Sequence, residues 1–238
     1  MSIPLVFING WAMPEEVPIP FIKRLIGIDV TIINLSCIAI KHSDFTLKDI
    51  IQWLYQELPD TPFVLVGWSY GGLLACAYAN AYPTKVKALV TLATNPCFSA
   101  KLDWRHAINS VTFDKFLTAL KISPKKTLRQ FSVLCSIGSK NKKQLNQYLN
   151  SVLMVSDNMT NMLTVLGLAD IRKELTSINC PVIHCYGKED ALVPSDITES
   201  VKHLFKRHNT YVGPGGHCFF LDYPEPVIAL LKSYCQGV

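Results

Sequence analysis

The stretch that most constrains this chain is Gly67-Trp68-Ser69-Tyr70-Gly71, read together with what stands on either side of it. Phe63-Val64-Leu65-Val66 before it is a short apolar run of strand type. Gly72-Leu73-Leu74-Ala75-Cys76-Ala77-Tyr78-Ala79 after it is rich in helix formers and small residues. The order is therefore strand, sharp turn, helix. A turn that tight forces Ser69 into a strained backbone conformation, and the flanking glycines let neighbouring segments approach where a side chain would collide. The Ser69 hydroxyl is then presented at the carboxyl end of a strand, beside the first amides of a helix, which is where a nucleophilic serine can act.

Further apolar runs at 3–8, 30–35, 86–93, 182–187 and 209–212 alternate with helical stretches. Thr46 can cap a helix whose apolar positions Leu47, Ile50, Ile51, Leu54, Tyr55 and Leu58 form one stripe, with Asp49 in the capping-box place. The helix after Ser69 should run to about Ala81, ahead of Pro83, and 195–204 and 225–235 predict two more. Apolar, non-alternating strands separated by helices imply an α/β chain with a mostly parallel sheet of about six strands and helices on both faces. That rhythm breaks over 99–178. There Ser123-Pro124 starts a helix with Leu128, Phe131, Leu134 and Cys135 on one face, and Leu145, Leu149, Val152 and Leu153 form a second stripe. Residues 161–175 suggest a third helix. The expectation is a core of 1–98 and 179–238 carrying a helical insertion over 99–178, placed as a lid at the carboxyl ends of the strands.

A serine hydroxyl is a poor nucleophile until a base takes its proton, and a histidine base must be oriented by an acid. Of the six histidines, His42, His203 and His208 stand beside charged or polar residues and read as solvated, and His106 reads as a surface residue. His184, inside Val182-Ile183-His184-Cys185-Tyr186, reads as a core histidine. His217 follows Gly213-Pro214-Gly215-Gly216 after the last strand and precedes the final helix, the place required by the chain order serine, acid, histidine. The acid belongs in the turn after the preceding strand, where Glu189 and Asp190 are both candidates. The oxyanion needs two amides, one from Tyr70 and one from the loop Asn9-Gly10-Trp11-Ala12, with Trp11 the candidate donor.

Composition narrows the remaining classes. The eight cysteines are scattered and lack any C-x-x-C, as reduced core thiols do, and Cys218 beside His217 has no second ligand pair at zinc spacing. No metal and no cofactor is expected. No run reaches the ~18 uncharged apolar residues that span a bilayer. The first residues have neither a basic region nor a small-residue cleavage site, so they read as a strand, in a cytoplasmic protein away from membranes. The formal charge of +5 is uneven. Residues 101–143 carry ten bases, Lys126, Arg129 and Lys143 among them, against two acids, a local +8; the rest holds 13 bases and 16 acids, −3. Without a stacking motif this patch does not predict a nucleic-acid site. It is either a solvated helix face or a docking surface for an acidic partner.

These residues resemble the α/β-hydrolase superfamily. A narrower similarity, to the pimeloyl-acyl-carrier-protein methyl ester esterases of biotin synthesis, rests on three stretches. They are Gly67-Trp68-Ser69-Tyr70-Gly71-Gly72-Leu73, Ala88 to Ala93 running into Asn95-Pro96-Cys97-Phe98-Ser99-Ala100 and Trp104, and Tyr186-Gly187-Lys188-Glu189-Asp190-Ala191-Leu192-Val193-Pro194. The G-x-x-D spacing from Gly187 is the one the superfamily shows at this turn, which selects Asp190 over Glu189. The resemblance implies an α/β-hydrolase fold and a serine carboxylesterase that removes a methyl ester from an acyl chain held on acyl carrier protein. It implies Ser69 as nucleophile, His217 as general base and then acid, Asp190 as orienter, and the Trp11 and Tyr70 amides as oxyanion hole. Trp68 and Phe131 match positions lining the acyl channel. It also implies carrier docking on the basic insertion through Lys126, Arg129 and Lys143, with Gln130 and Gln147 where the family has further arginines. Asn9 stands where the superfamily usually has histidine, and Ala12 replaces a common glycine. The rivals are a generalist short-acyl carboxylesterase or lactonase with the same triad, and a non-catalytic ligand receptor of the same fold. A monomer is the expectation.

Overall fold

The computed structural model describes residues 2–40 and 44–236, so His42 lies outside the described residues. Six strands, β1 (Leu5–Ile8), β2 (Val30–Ile33), β3 (Phe63–Trp68), β4 (Val86–Leu92), β5 (Val182–Gly187) and β6 (His208–Gly213), form one sheet in the order β2-β1-β3-β4-β5-β6. Every neighbouring pair is parallel. The reason is in the side chains: β1, β3 and β5 are buried at every position, so both of their faces must be covered, while the edges β2 and β6 are partly exposed.

The covering helices of the sheet are α1 (Ile19–Ile22), α2 (Leu47–Glu57) and α3 (Tyr70–Ala81) on the N-terminal side of the chain. Thr46 and Asp49 close the expected capping box at the start of α2, Asp49 Oδ2 accepting from the Thr46 backbone N–H at 2.7 Å. α3 is almost wholly buried, and its glycines have a steric reason. A Cβ on Gly71 would lie 2.2 Å from the Ile8 carbonyl oxygen, so the helix can approach β1 only because that position has no side chain.

Between β4 and β5 the chain makes α4 (Ser110–Ile122), α5 (Pro124–Ser136), α6 (Lys142–Val152), α7 (Met159–Leu168) and α8 (Arg172–Leu175). After β5 come α9 (Thr198–Val201), α10 (Phe219–Asp222) and α11 (Glu225–Gln236). α4 is a helix beyond those expected: Phe113, Phe116, Leu117 and Leu120 have helical spacing, and Asn109 caps it by accepting from the Val111 and Thr112 N–H groups. The helix expected over 161–175 is broken at Ala169-Asp170-Ile171. There the Ile171 N–H donates to Pro96 O at 3.1 Å, and Asp170 accepts from Arg172 at 2.7 Å and Lys101 at 2.9 Å. Arg172 also pairs with Asp103 at 3.0 Å, so the entry and exit of the insertion are tied together. The Arg172 guanidinium and then Lys101 hold the Asp170 carboxyl well below the usual carboxylate range. The helix expected over 195–204 shrinks to a 3-10 turn at Ser195–Ile197 followed by α9, because i→i+3 bonds such as Ile197 N–H to Pro194 O tighten the chain.

Candidate active site

Ser69 joins β3 to α3 with φ 55° and ψ −117°, a conformation that a side-chain-bearing residue adopts only under constraint. The constraint is visible in its hydrogen bonds. Its N–H donates to Leu92 O at 2.8 Å, and its carbonyl accepts from the Gly72 N–H at 2.9 Å and from Thr94 Oγ1 at 2.5 Å. Thr94, just past β4, was not singled out in the sequence; a hydroxyl one strand away carries no local signal of that contact.

The turn after β5 and the loop after β6 bring Asp190 and His217 together. His217 Nδ1–H donates to Asp190 Oδ2 at 2.8 Å with both side chains buried. Asp190 Oδ1 accepts from the Leu192 and Val193 N–H groups at 2.8 and 3.0 Å, which fixes the carboxylate. With Nδ1 facing a carboxylate, Nε2 is the nitrogen free to act as a base. No hydrogen bond joins the Ser69 hydroxyl to His217 in this structure, a looseness common in free enzymes whose catalytic bonds tighten on binding. Glu189, the other candidate acid, serves the loop instead: its Oε2 accepts from the Gly215 N–H at 2.6 Å, two residues before His217. His184 lies inside the sheet with Nδ1 2.6 Å from Thr91 Oγ1, and burial lowers its pKa to about 3. It remains neutral and outside the site. Burial likewise pushes the Cys135 and Cys218 thiols well up, so neither rivals Ser69 as a nucleophile.

Trp68 does not line the space in front of Ser69, contrary to the expectation from the resemblance. It is fully buried, packs on Phe220 with ring centroids 5.2 Å apart, and donates Nε1–H to the His217 carbonyl at 3.1 Å. Successive side chains near a strand end leave on opposite faces, so a residue adjacent to the outward-facing serine is turned into the core. There it positions the histidine loop.

On the other side of Ser69 the loop after β1 is held by Asn9. Its Nδ2 donates to Met13 O at 2.9 Å and Pro14 O at 2.8 Å, while its Oδ1 accepts from the Gly10 N–H at 3.0 Å. These bonds fold residues 9–14 into a turn in which Ala12 takes φ 58°, a left-handed value that suits the glycine it replaces. Neither the Trp11 nor the Tyr70 backbone N–H donates to an acceptor within the described protein, although both residues are buried. Two uncommitted donors beside the serine are what an oxyanion hole requires.

The space these groups face is a cavity of about 220 Å³, lined by Trp11, Ser69, Phe131 and apolar side chains of the insertion such as Phe113, Phe116 and Leu163. Trp11 Nε1–H also donates to Met159 O at 2.9 Å, which ties the loop after β1 to the start of α7. A larger groove, about 710 Å³, runs from Phe45 to Leu168 and touches none of Ser69, Asp190 and His217. Ser69 lines the smaller space, which makes that one the candidate site. Outside it, Lys126 and Arg129 on α5 and Lys143 on α6 are exposed and pair with no carboxylate among the described residues. The turn between α5 and α6 reaches the histidine loop: a Cβ on Gly216 would strike Ile137 O, and Lys140 Nζ donates to Asp222 O at 2.8 Å. Among the described residues no group of three or more His, Cys, Asp or Glu could hold a metal ion.

Comparison with known proteins agrees with this fold. The chain is 30% identical, over 98% of its length, to the "Biotin biosynthesis bifunctional protein" of Teredinibacter turnerae, and it spans 44% of that longer protein. It is 28% identical, again over 98% of its length, to the pimeloyl-acyl-carrier protein methyl ester esterase of Edwardsiella ictaluri, of which it covers 93%. An esterase from Exiguobacterium antarcticum has the same fold, with a TM-score of 0.83 at 19% identity over 99% of this chain and 93% of that one. A family model described as alpha/beta hydrolase fold matches residues 4–224, and on that match the chain belongs to the alpha/beta hydrolase fold family.

Proposed function

We propose that this chain is a serine carboxylesterase that hydrolyses the methyl ester of pimeloyl-acyl-carrier protein in biotin synthesis, releasing methanol and leaving the free carboxylate on the carrier-bound chain. The observation that carries the chemistry is the buried Asp190–His217 pair, whose histidine carbonyl is bonded to Trp68, next to a serine at φ 55° that lines an apolar cavity. The name of the Edwardsiella relative supplies the substrate, and that of the Teredinibacter relative the pathway. Ser69 Oγ attacks the ester carbonyl as His217 Nε2 takes its proton, and the Trp11 and Tyr70 N–H groups receive the developing oxyanion. Collapse expels methoxide, which leaves as methanol with the proton from His217. Water then attacks the acyl-serine with His217 again as base, and the acid is released as Ser69 regains its proton.

Residues 99–178 act as the lid: their inner face lines the cavity, and their outer face carries the unpaired bases Lys126, Arg129 and Lys143. An acidic carrier would be steered and oriented by that surface, with the acyl arm entering beneath it. We read the protein as a cytoplasmic monomer; no helix of the described residues is long and apolar enough to cross a membrane. A generalist esterase would use the same Ser69, so the deciding experiment is turnover of the carrier-bound methyl ester, followed by methanol release, with Ser69→Ala as control. Serine-dependent methanol release is expected. Cleavage of small esters with the carrier-bound ester untouched would leave an esterase and remove the biotin assignment.

A further inference from the structure

Gly167 is the second-last residue of α7, in its last turn, where glycine is still a poorer helix former than alanine. It has no positive φ to justify it; among the described residues those glycines are Gly27, Gly138 and Gly215. Its reason is the neighbouring ring. A Cβ on Gly167 would lie 2.4 Å from Cε1, 2.9 Å from Cζ and 3.1 Å from Cδ1 of Phe113 on α4. Phe113 is 5% exposed and lines the cavity in front of Ser69, together with Leu163 and Leu166 of α7 itself.

The geometry points to Gly167 as a specificity-determining residue: its missing side chain seats the Phe113 ring back against α7, at the wall of the cavity and not inside it, and so sets how long an acyl chain fits in front of Ser69. The inference rests on reading that cavity as the acyl site. A methyl at 167 must displace the ring. The ring is covered and cannot turn out to solvent, and the unfilled space beside it is the cavity. The larger groove reaches α7 at Thr164, Val165 and Leu168, but Phe113 does not line it, whereas the ring does line the cavity in front of Ser69. Each methylene a pocket accepts or refuses changes selectivity by about tenfold or more, so a small displacement is measurable.

The test is the ratio of kcat/KM for p-nitrophenyl octanoate to that for the acetate, in the wild type and in Gly167→Ala. The ratio should fall by about tenfold or more in G167A, with acetate still cleaved. Alanine is the better helix former, so helix propensity does not act against this variant. Adding Phe113→Leu should restore the ratio, because the shorter side chain clears the new methyl. Phe113→Leu alone should raise it above wild type, which keeps the proposal decidable if G167A does not fold. The same series is read by calorimetry as binding of octanoate and acetate to the Ser69→Ala protein. Absence of ester hydrolysis would therefore count against the proposed reaction, while the binding ratio still decides the role of Gly167. Ratios unchanged from wild type in both G167A and F113L overturn it.

Discussion

Two glycines, one where α3 meets β1 and one on α7 of the insertion, show how differently the two halves of the molecule are built. At Gly71 an added Cβ would meet the backbone carbonyls of Ile8 and Asn9, at 2.2 and 2.4 Å. At Gly167 it would meet the edge of a phenyl ring. Backbone in a parallel sheet cannot move without breaking its ladder, whereas a ring can tilt. The sheet side therefore holds reacting groups to fixed positions, through Ser69 locked between Leu92 and Thr94 and His217 locked between Asp190 and Trp68. At its exit the insertion is joined to it by the Ile171 N–H to Pro96 O bond, and elsewhere by side chains, with Trp11 bonded to Met159 and Lys140 to Asp222. On the proposed reading, chemistry sits on the rigid half and selection of the substrate on the adjustable one.

The contrast can be tested from its strongest point downward. Asp190→Asn should lower kcat by about 10⁴-fold on every ester, small or carrier-bound, because it disturbs the tautomer of His217 and not substrate choice. A loss confined to one substrate class would break the division between the halves. Gly71→Ala should cost about 3 kcal/mol of stability in urea unfolding, at the upper end of overpacking penalties, since a backbone carbonyl cannot yield. A variant as stable as wild type would show that α3 can slide on β1.

Weaker effects are expected on the other half. Lys126→Glu combined with Lys143→Glu should reduce kcat/KM for the carrier-bound ester by roughly tenfold at low salt and leave p-nitrophenyl acetate unchanged. The difference from wild type should shrink as salt rises and shortens the screening length to about 8 Å. Equal losses on both substrates would remove the docking role. The smallest change is expected at Ala12→Gly. Relief of the left-handed cost, about 1–2 kcal/mol, is partly offset by about 0.5–1 kcal/mol of glycine entropy, so the melting temperature should rise slightly. A drop would mean that the Ala12 methyl packs usefully against its neighbours.

Much of this was legible along the chain. The run through Ser69, the capping box of Thr46 and Asp49, the placing of His217 and the six-strand rhythm are all local patterns or local order, and the structure has each of those elements. α4, absent from the expectation, has an equally local signature in Asn109 and the spacing of Phe113 to Leu120. Other features have no local signature. The break in the helix at Asp170 depends on Lys101 and Asp103, nearly seventy residues earlier. Glu189 and Asp190 are adjacent carboxylates in one turn, and only the approach of the β6 loop gives one to Gly215 and the other to His217.

By itself the sequence determined the parallel sheet, the strained serine turn and the order of the catalytic candidates, because hydrophobic period, glycine placement and capping act over a few residues. Tertiary structure decided the rest: that Trp68 faces the core and holds the histidine loop, that Asn9 folds the loop carrying Trp11, and that Phe113 rests on Gly167. Those contacts join segments far apart in the chain. They exist only once the sheet and the insertion have packed, and packing depends on the shape of every neighbour at once.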